Sequence, residues 1–222
     1  MLDPKYLILV PWGATPWSAG GRLAGRTPLS LTADGRRATL TWAQEMGVHK
    51  PTHVAASSEQ ASDETSQIIA EFHQAKRRVV SELEEIDVGL WQGLTADEFS
   101  RRYPKVYKRW REEPLGICPP EGEDLHEAGS RLMQAIETII SKADGQLPAV
   151  VLGPLAFRLV RRIVEDEQSP VPELADAAGP VIYRVREGED QKTAHNGAWS
   201  FESILEIGTV GASANQESTE SE

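Results

Sequence analysis

The sequence predicts an α/β domain: a three-layer α/β/α sandwich with a mostly parallel central sheet. Three observations carry this. Tyr6–Val10 and Ala149–Leu152 are unbroken apolar runs of strand length, as expected of strands buried on both faces. Segments with apolar residues at helical spacing follow them and the shorter run Thr52–Ala56. Strands and helices thus alternate along most of the chain, which implies helices on both faces of the sheet.

The elements follow in order. The run Tyr6–Val10 ends at Pro11-Trp12-Gly13, a strand feeding a loop. Thr32 stands as an N-cap and Gly47 as a C-terminal stop for a helix carrying Leu40, Ala43 and Met46 on its buried side. Thr52–Ala56 reads as a second strand, Ser57 and Ser58 as caps, and Ile68, Ile69 and Phe72 as the buried stripe of the next helix. An extended segment from Val79 to Val88 leads to Gly89-Leu-Trp-Gln-Gly93, after which Thr95 and Glu98 form a capping-box pair. The basic, aromatic stretch Arg101–Arg111 reads as a solvated helix anchored by Tyr107 and Trp110. A long helix is expected from about 123 to 142, with Leu125, Ala128, Leu132, Ala135 and Ile139 on one face and Gly145 closing it. Ala149–Gly153 is a buried strand and 155–164 the helix after it. Pro170, Pro172 and Pro180 mark a loop, and 181–185 and 199–207 are late strands joined by a polar turn.

Residues 1–210 are read as one domain and 211–222 as a disordered acidic tail. The 222 residues are 40% hydrophobic and 26% charged, which excludes collagen-like, coiled-coil and wholly disordered chains. A net charge of −11 opposes nucleic acid and anionic membranes as partners. The one cysteine, Cys118, forms neither an internal disulfide nor a thiolate metal site, and no secretory or membrane segment is read near Met1, so the expected location is cytoplasmic. The histidines His49, His53, His73, His126 and His195 show no metal-binding spacing, and neither a metal nor a cofactor is expected. In a sheet of this kind the ligand crevice lies beyond the carboxyl ends of the strands. This places the site at 11–13, 57–62 and 153–155.

Taken together, Leu7–Trp17, Leu31-Thr-Ala-Asp-Gly35, Ser57-Ser58, Glu85–Gly93, Gly122-Glu123 and Val151-Leu-Gly-Pro154 resemble the histidine phosphatase, or phosphoglycerate-mutase-like, family over roughly residues 6 to 165. The resemblance implies a phosphoglycerate-mutase-like fold and a chemistry. An Arg-His-Gly triplet after the first strand supplies a nucleophilic histidine, a second arginine follows the Ser-Ser strand, and a second histidine follows the later glycine. A glutamate before the Gly-x-Trp-x-Gly segment protonates the leaving group, while the fixed cations hold the phosphoryl charge during in-line attack.

At these positions the chain reads differently. Trp12 stands for the nucleophile, and an indole offers a donor N–H but no lone pair. Pro11 replaces the first arginine and Pro154 the second histidine. The second arginine belongs near Ser62, where 59–66 holds the acids Glu59, Asp63 and Glu64 and no base. One carboxylate about 5 Å from a phosphate charge repels it by roughly 3 kcal/mol at an effective dielectric near 20. Only Glu85 retains a chemically competent side chain. Losing groups that act as a unit costs on the order of 10^4 to 10^6 in rate. No base beside Ser57 or Ser58 is evident that would make either a substitute nucleophile.

The expectation is therefore a pseudoenzyme, not an enzyme: a structural or regulatory subunit that binds another protein, with a homodimer also open. Trp12 reads either as packing in the vacated pocket or as a recognition residue, and Glu85 as a turn-holding acceptor. The alternative is a non-catalytic sensor of a phosphorylated or acidic metabolite, with Arg22, Lys105, Arg109 and Arg111 as candidate ligands and Arg131 as a structural ion-pair partner. A residual phosphatase with atypical residues is the third reading.

Overall fold

Odd and even residues of a strand point to opposite faces of its sheet, and the first apolar run is buried on both. A computed structural model, which describes residues 5–112, 116–165, 179–187 and 199–207, places this run in β1 (Lys5–Pro11) of a six-stranded sheet. The other strands are β2 (His53–Ala56), β3 (Lys76–Val79), β4 (Pro148–Leu152), β5 (Val181–Glu187) and β6 (Trp199–Glu206). Their order across the sheet is β3-β2-β4-β1-β5-β6. The β1–β4, β2–β4 and β2–β3 pairs are parallel, and β5 and β6 add as an antiparallel pair beside β1.

The helices are α1 (Pro16–Ala19), α2 (Ala33–Glu45), α3 (Gln60–His73), α4 (Ala96–Arg102), α5 (Pro104–Glu112), α6 (Leu125–Ser141) and α7 (Pro154–Val164). Leu7 and Leu9 of β1 pack in a core with Leu132 and Ile136 of α6 and Phe157 and Val160 of α7. Ile8 and Val10 face the other core, with Ala43 and Met46 at α2 and Ile69 and Ala70 of α3. Two cores on either side of one sheet make the three layers. An aromatic group, with Trp91 and Phe99 ring centroids 4.6 Å apart and Trp110 against both, anchors α4 and α5 over the first core.

Local signals translate directly. Thr32 caps α2 by accepting from Gly35 N–H, and Thr95 with Glu98 completes the capping box of α4. Asp124 caps α6, and the Leu125, Ala128, Leu132, Ala135 face is buried, with Ile139 on its margin.

Four local expectations are corrected. Leu40 is 42% exposed and Phe72 46%. The buried faces are instead Gly35, Thr39 and Ala43 on α2, and Ala61, Ser62, Thr65, Ser66, Ile69 and Ala70 on α3. Small residues bring these helix backbones close and turn the larger apolar side chains to the flank. Ser57 and Ser58 do not cap α3: its N-cap is Glu59, which makes no side-chain cap bond. The chain is extended already at Lys76, before Val79, and coils into single 3-10 turns at Ser81–Leu83 and Gly89–Trp91. Pro170, Pro172, His195, the polar turn between the last strands and the acidic tail lie outside the described residues.

Candidate functional site

Because β2, β4 and β1 are adjacent and parallel, the three loops at 11–13, 57–62 and 153–155 leave the sheet side by side. Side chains and backbone amides then tie them to one another. Trp12 N–H donates to Leu152 carbonyl at 2.9 Å, carrying the β1–β4 pairing one residue past the strand. Gly13 N–H donates to Thr65 Oγ1 at 3.0 Å. Position 13 must be glycine, because a Cβ there would lie 2.6 Å from Thr39 Oγ1 and 2.8 Å from Gly35 carbonyl.

At the β2 exit, Ser57 N–H donates to Ser62 Oγ at 3.1 Å, and both residues are buried. Ser57 Oγ donates to Glu59 Oε2 at 2.9 Å, and the same oxygen accepts from Glu85 N–H at 2.8 Å. The expectation that no base stands beside Ser57 is therefore corrected: Glu59, two residues on, supplies a carboxylate through a short local turn. Burial raises the Glu59 pKa above the ordinary carboxylate range, against the lowering influence of those two hydrogen bonds.

The β4 exit is built around Glu85, which is fully buried. Its carboxylate accepts from three backbone amides, Ile86 at 2.7 Å, Leu155 at 2.9 Å and Ala156 at 2.8 Å. Two of these belong to the first turn of α7, whose N-terminal amides have no partner inside the helix. Pro154 fits there because it opens the helix and has no N–H to satisfy. Gly153 leaves the space: a Cβ there would lie 2.3 Å from Glu85 Oε2. Burial pushes the Glu85 carboxyl up to about 7, with the Glu59 charge adding to the rise and the three amides opposing it.

Trp12 is 5% exposed and belongs to the same apolar core as Val10, Leu31 and Ala61. Its Nε1 has no hydrogen-bond partner among the described residues.

The cations at this end of the sheet are engaged by carboxylates. Arg26 donates from Nε to Glu85 carbonyl at 3.0 Å and pairs with Glu123 at 3.4 Å and Glu84 at 3.8 Å. Arg131 grips Glu123 through two bonds of 2.8 Å and donates to the Glu82 and Glu84 carbonyls. Arg22 donates to Gly93 carbonyl at 2.6 Å and pairs with Glu98 at 3.4 Å, so it holds the Gly93 turn against α4. Lys105, Arg109 and Arg111 stand exposed along α5, and none has a hydrogen bond to the three loops among the described residues. Sequence reasoning singled out Arg22 and missed Arg26, four residues later in the same loop, and it read Glu59 only as an acid near the second arginine's place, missing its bond to Ser57. The Ser57-Ser-Glu59 spacing was the readable signal for the second, since a serine hydroxyl and a carboxyl two residues on lie within local reach of each other.

Among the described residues no group of three or more His, Cys, Asp and Glu side chains is placed to hold a metal ion. No described helix is long and apolar enough to cross a membrane.

The model of the histidine phosphatase superfamily (branch 1) matches residues 7–177. A phosphoserine phosphatase 1 from Hydrogenobacter thermophilus is 28% identical over 152 residues, 68% of this chain and 72% of that protein. A metal-independent phosphoserine phosphatase of Arabidopsis thaliana is 30% identical over 148 residues, covering 65% of this chain and 62% of that one. Among solved structures, the mycobacterial glucosyl-3-phosphoglycerate phosphatase Rv2419c superposes with a TM-score of 0.73 at 17% identity, over 90% of this chain and 98% of the other. These matches correct the expectation that the chain is not an enzyme. The relatives carry the names of phosphatases, and the family model spans most of the chain. That expectation rested on four side chains: they show where an imidazole or guanidinium is replaced, which is not a demonstration that activity is lost.

Proposed function

The chain belongs to the histidine phosphatase superfamily, and we propose that within it this member serves as a structural or regulatory subunit that binds another protein. The observation that carries this reading is the state of the strand exits. Trp12, Ser57, Ser62 and Glu85 are all buried there, and Ser57, Ser62, Glu59 and Glu85 are hydrogen-bonded to one another or to the loop amides. Side chains buried and bonded in this way favour recognition at the outer surface. Exposed apolar residues stand on that surface, among them Val48, Val79 and Leu90. The acidic composition and single cysteine suit a cytoplasmic setting for this role.

The test is affinity capture of the tagged full chain at native abundance, followed by reconstitution of the captured complex from purified components. A stoichiometric complex surviving size exclusion is the expected result. Elution of the chain alone overturns the reading. Turnover of a phosphate ester, the activity in the relatives' names, is compatible with a binding role and is measured in the same preparation by phosphate release.

A second reading, binding of a phosphorylated or acidic metabolite, draws on the exposed Lys105, Arg109 and Arg111 of α5. It predicts a thermal shift with phosphate esters that is lost when these three are changed to glutamine. No shift across a panel at millimolar concentration removes it.

A further inference from the structure

The sheet has two edges, and they differ in charge and in what meets them. On β6, Glu202 pairs with Arg184 and Arg186 of β5, and Glu206 pairs with Arg161 of α7. On β3, all four residues are exposed, and three of the four are cations: Lys76, Arg77 and Arg78, with Val79 63% exposed after them. No described element lies beyond β3.

The hydrogen-bond register shows which backbone groups this edge presents. Lys76 N–H donates to Thr52 carbonyl and Val80 N–H to Ala56 carbonyl, so the amides of even-numbered residues point inward to β2. The N–H and C=O groups of Arg77 and Val79 therefore point outward, away from the sheet. The side chains alternate as well. Arg77 turns toward α3, where its Nε donates to Ser66 Oγ and its Nη2 pairs with Asp63. Val79 shares that face, while Lys76 and Arg78 lie on the opposite one, and neither makes an ion pair with a described residue.

We propose that β3 is the docking edge for an extended, acidic segment of a partner protein, which adds to the sheet as a seventh strand. This rests on the protein-binding reading above and names the surface and the chemistry of the partner. Charge complementarity selects the occupant. In a chain of net charge −11, a run of three cations on an open edge is a local reversal of field that attracts an acidic strand. A second copy of β3 laid against the first would oppose cations to cations, which is unfavourable for directly paired strands. The segment that fits alternates acidic with β-branched residues, the acids over Lys76 and Arg78 and the apolar side chains over Val79. Outward amides supply main-chain affinity, and the alternating faces supply selectivity.

The experiment uses the full chain and a fluorescein-labelled ten-residue peptide of alternating glutamate and valine, followed by fluorescence anisotropy. Saturable binding is expected, weakened at least tenfold by Lys76→Glu with Arg78→Glu. Val79→Pro removes one outward N–H and leaves the inward bonds and the charges in place, so it is expected to fold, as checked by circular dichroism, and to lose binding at least tenfold. No saturable binding at millimolar peptide, or unchanged binding by either variant, overturns the proposal. So does sedimentation showing a dimer that Val79→Pro dissociates, since the edge would then hold a second copy. If Val79→Pro still captures the native partner, the edge assignment fails while the protein-binding reading stands.

Discussion

The crevice at the strand exits and the open edge at β3 use polar groups in opposite ways. In the crevice, three loops and two helices converge, and the Glu85 carboxylate takes three amides while Glu59 takes a hydroxyl and an amide. At β3 the outward amides of Arg77 and Val79 face away from the sheet, and Lys76 and Arg78 are exposed cations with no ion pair among the described residues. Buried polar groups are costly to disturb and exposed ones are cheap. Substitutions in the crevice should therefore act on stability, and substitutions on the edge on association.

The largest expected effect is that of Gly153→Val. Its Cβ would sit 2.3 Å from Glu85 Oε2. The carboxylate cannot swing away without stranding the Ile86, Leu155 and Ala156 amides. A loss of more than about 4 kcal/mol is expected, read as the absence of a cooperative unfolding transition in urea. A normal transition would show that the loop at 153 is loose and that the contrast with β3 is overstated.

Trp12→Ala comes next. Removing a buried indole costs about 3 to 5 kcal/mol, depending on how far the walls collapse. Trp12 belongs to an apolar core with Val10, Leu31 and Ala61, so added indole should restore part of the lost stability in a denaturant titration if the cavity persists. No destabilisation would mean that Trp12 sits at the crevice without sealing it.

How much of this was legible beforehand follows the range of the forces. The buried strands β1 and β4 were readable because a strand covered on both faces leaves a continuous apolar run, and the caps at Thr32 and Thr95 were readable because a cap is settled within three residues. The buried faces of α2 and α3 were not. Gly35, Ser62 and Thr65 are ordinary surface residues in composition, and only the close approach of Gly35 to Ala14 and of Thr65 to Gly13 makes them core. That the loops at 11–13, 57–62 and 153–155 leave the sheet side by side was legible from the strand–helix alternation. The Glu59–Ser57 contact and the Arg26 bridge to Glu85 carbonyl depend on loops meeting in space.

The raised pKa of Glu85 gives a pH signature of about 3 kcal/mol, from a rise to about 7 against an ordinary 4.5. A carboxyl that holds its proton more tightly when folded makes the folded state bind more protons between pH 4.5 and 7. Stability is then fully present below 4.5, falls as pH rises toward 7, and levels beyond it. Urea titrations across this window should show the fall in the native chain and a smaller fall in Glu85→Gln, with Glu59 contributing in the same direction. Parallel pH profiles for the two proteins would mean that Glu85 is ionised throughout and that its three amides outweigh its burial.

The smallest effect belongs to the edge and tests the contrast from its other side. Asp63 pairs with Arg77, and both side chains are partly exposed, at 47% and 34%. Solvent screens such a pair, so Asp63→Asn should cost at most about 1 kcal/mol, less in high salt. The measurement is again urea denaturation, at low and high salt. What the substitution changes more is the charge of the edge, since Arg77 loses its counter-ion while its Nε still donates to Ser66 Oγ. Binding of an acidic strand should then tighten slightly as stability falls slightly. A stability loss as large as that of a crevice substitution would show that β3 is held by its ion pair and is no open edge at all.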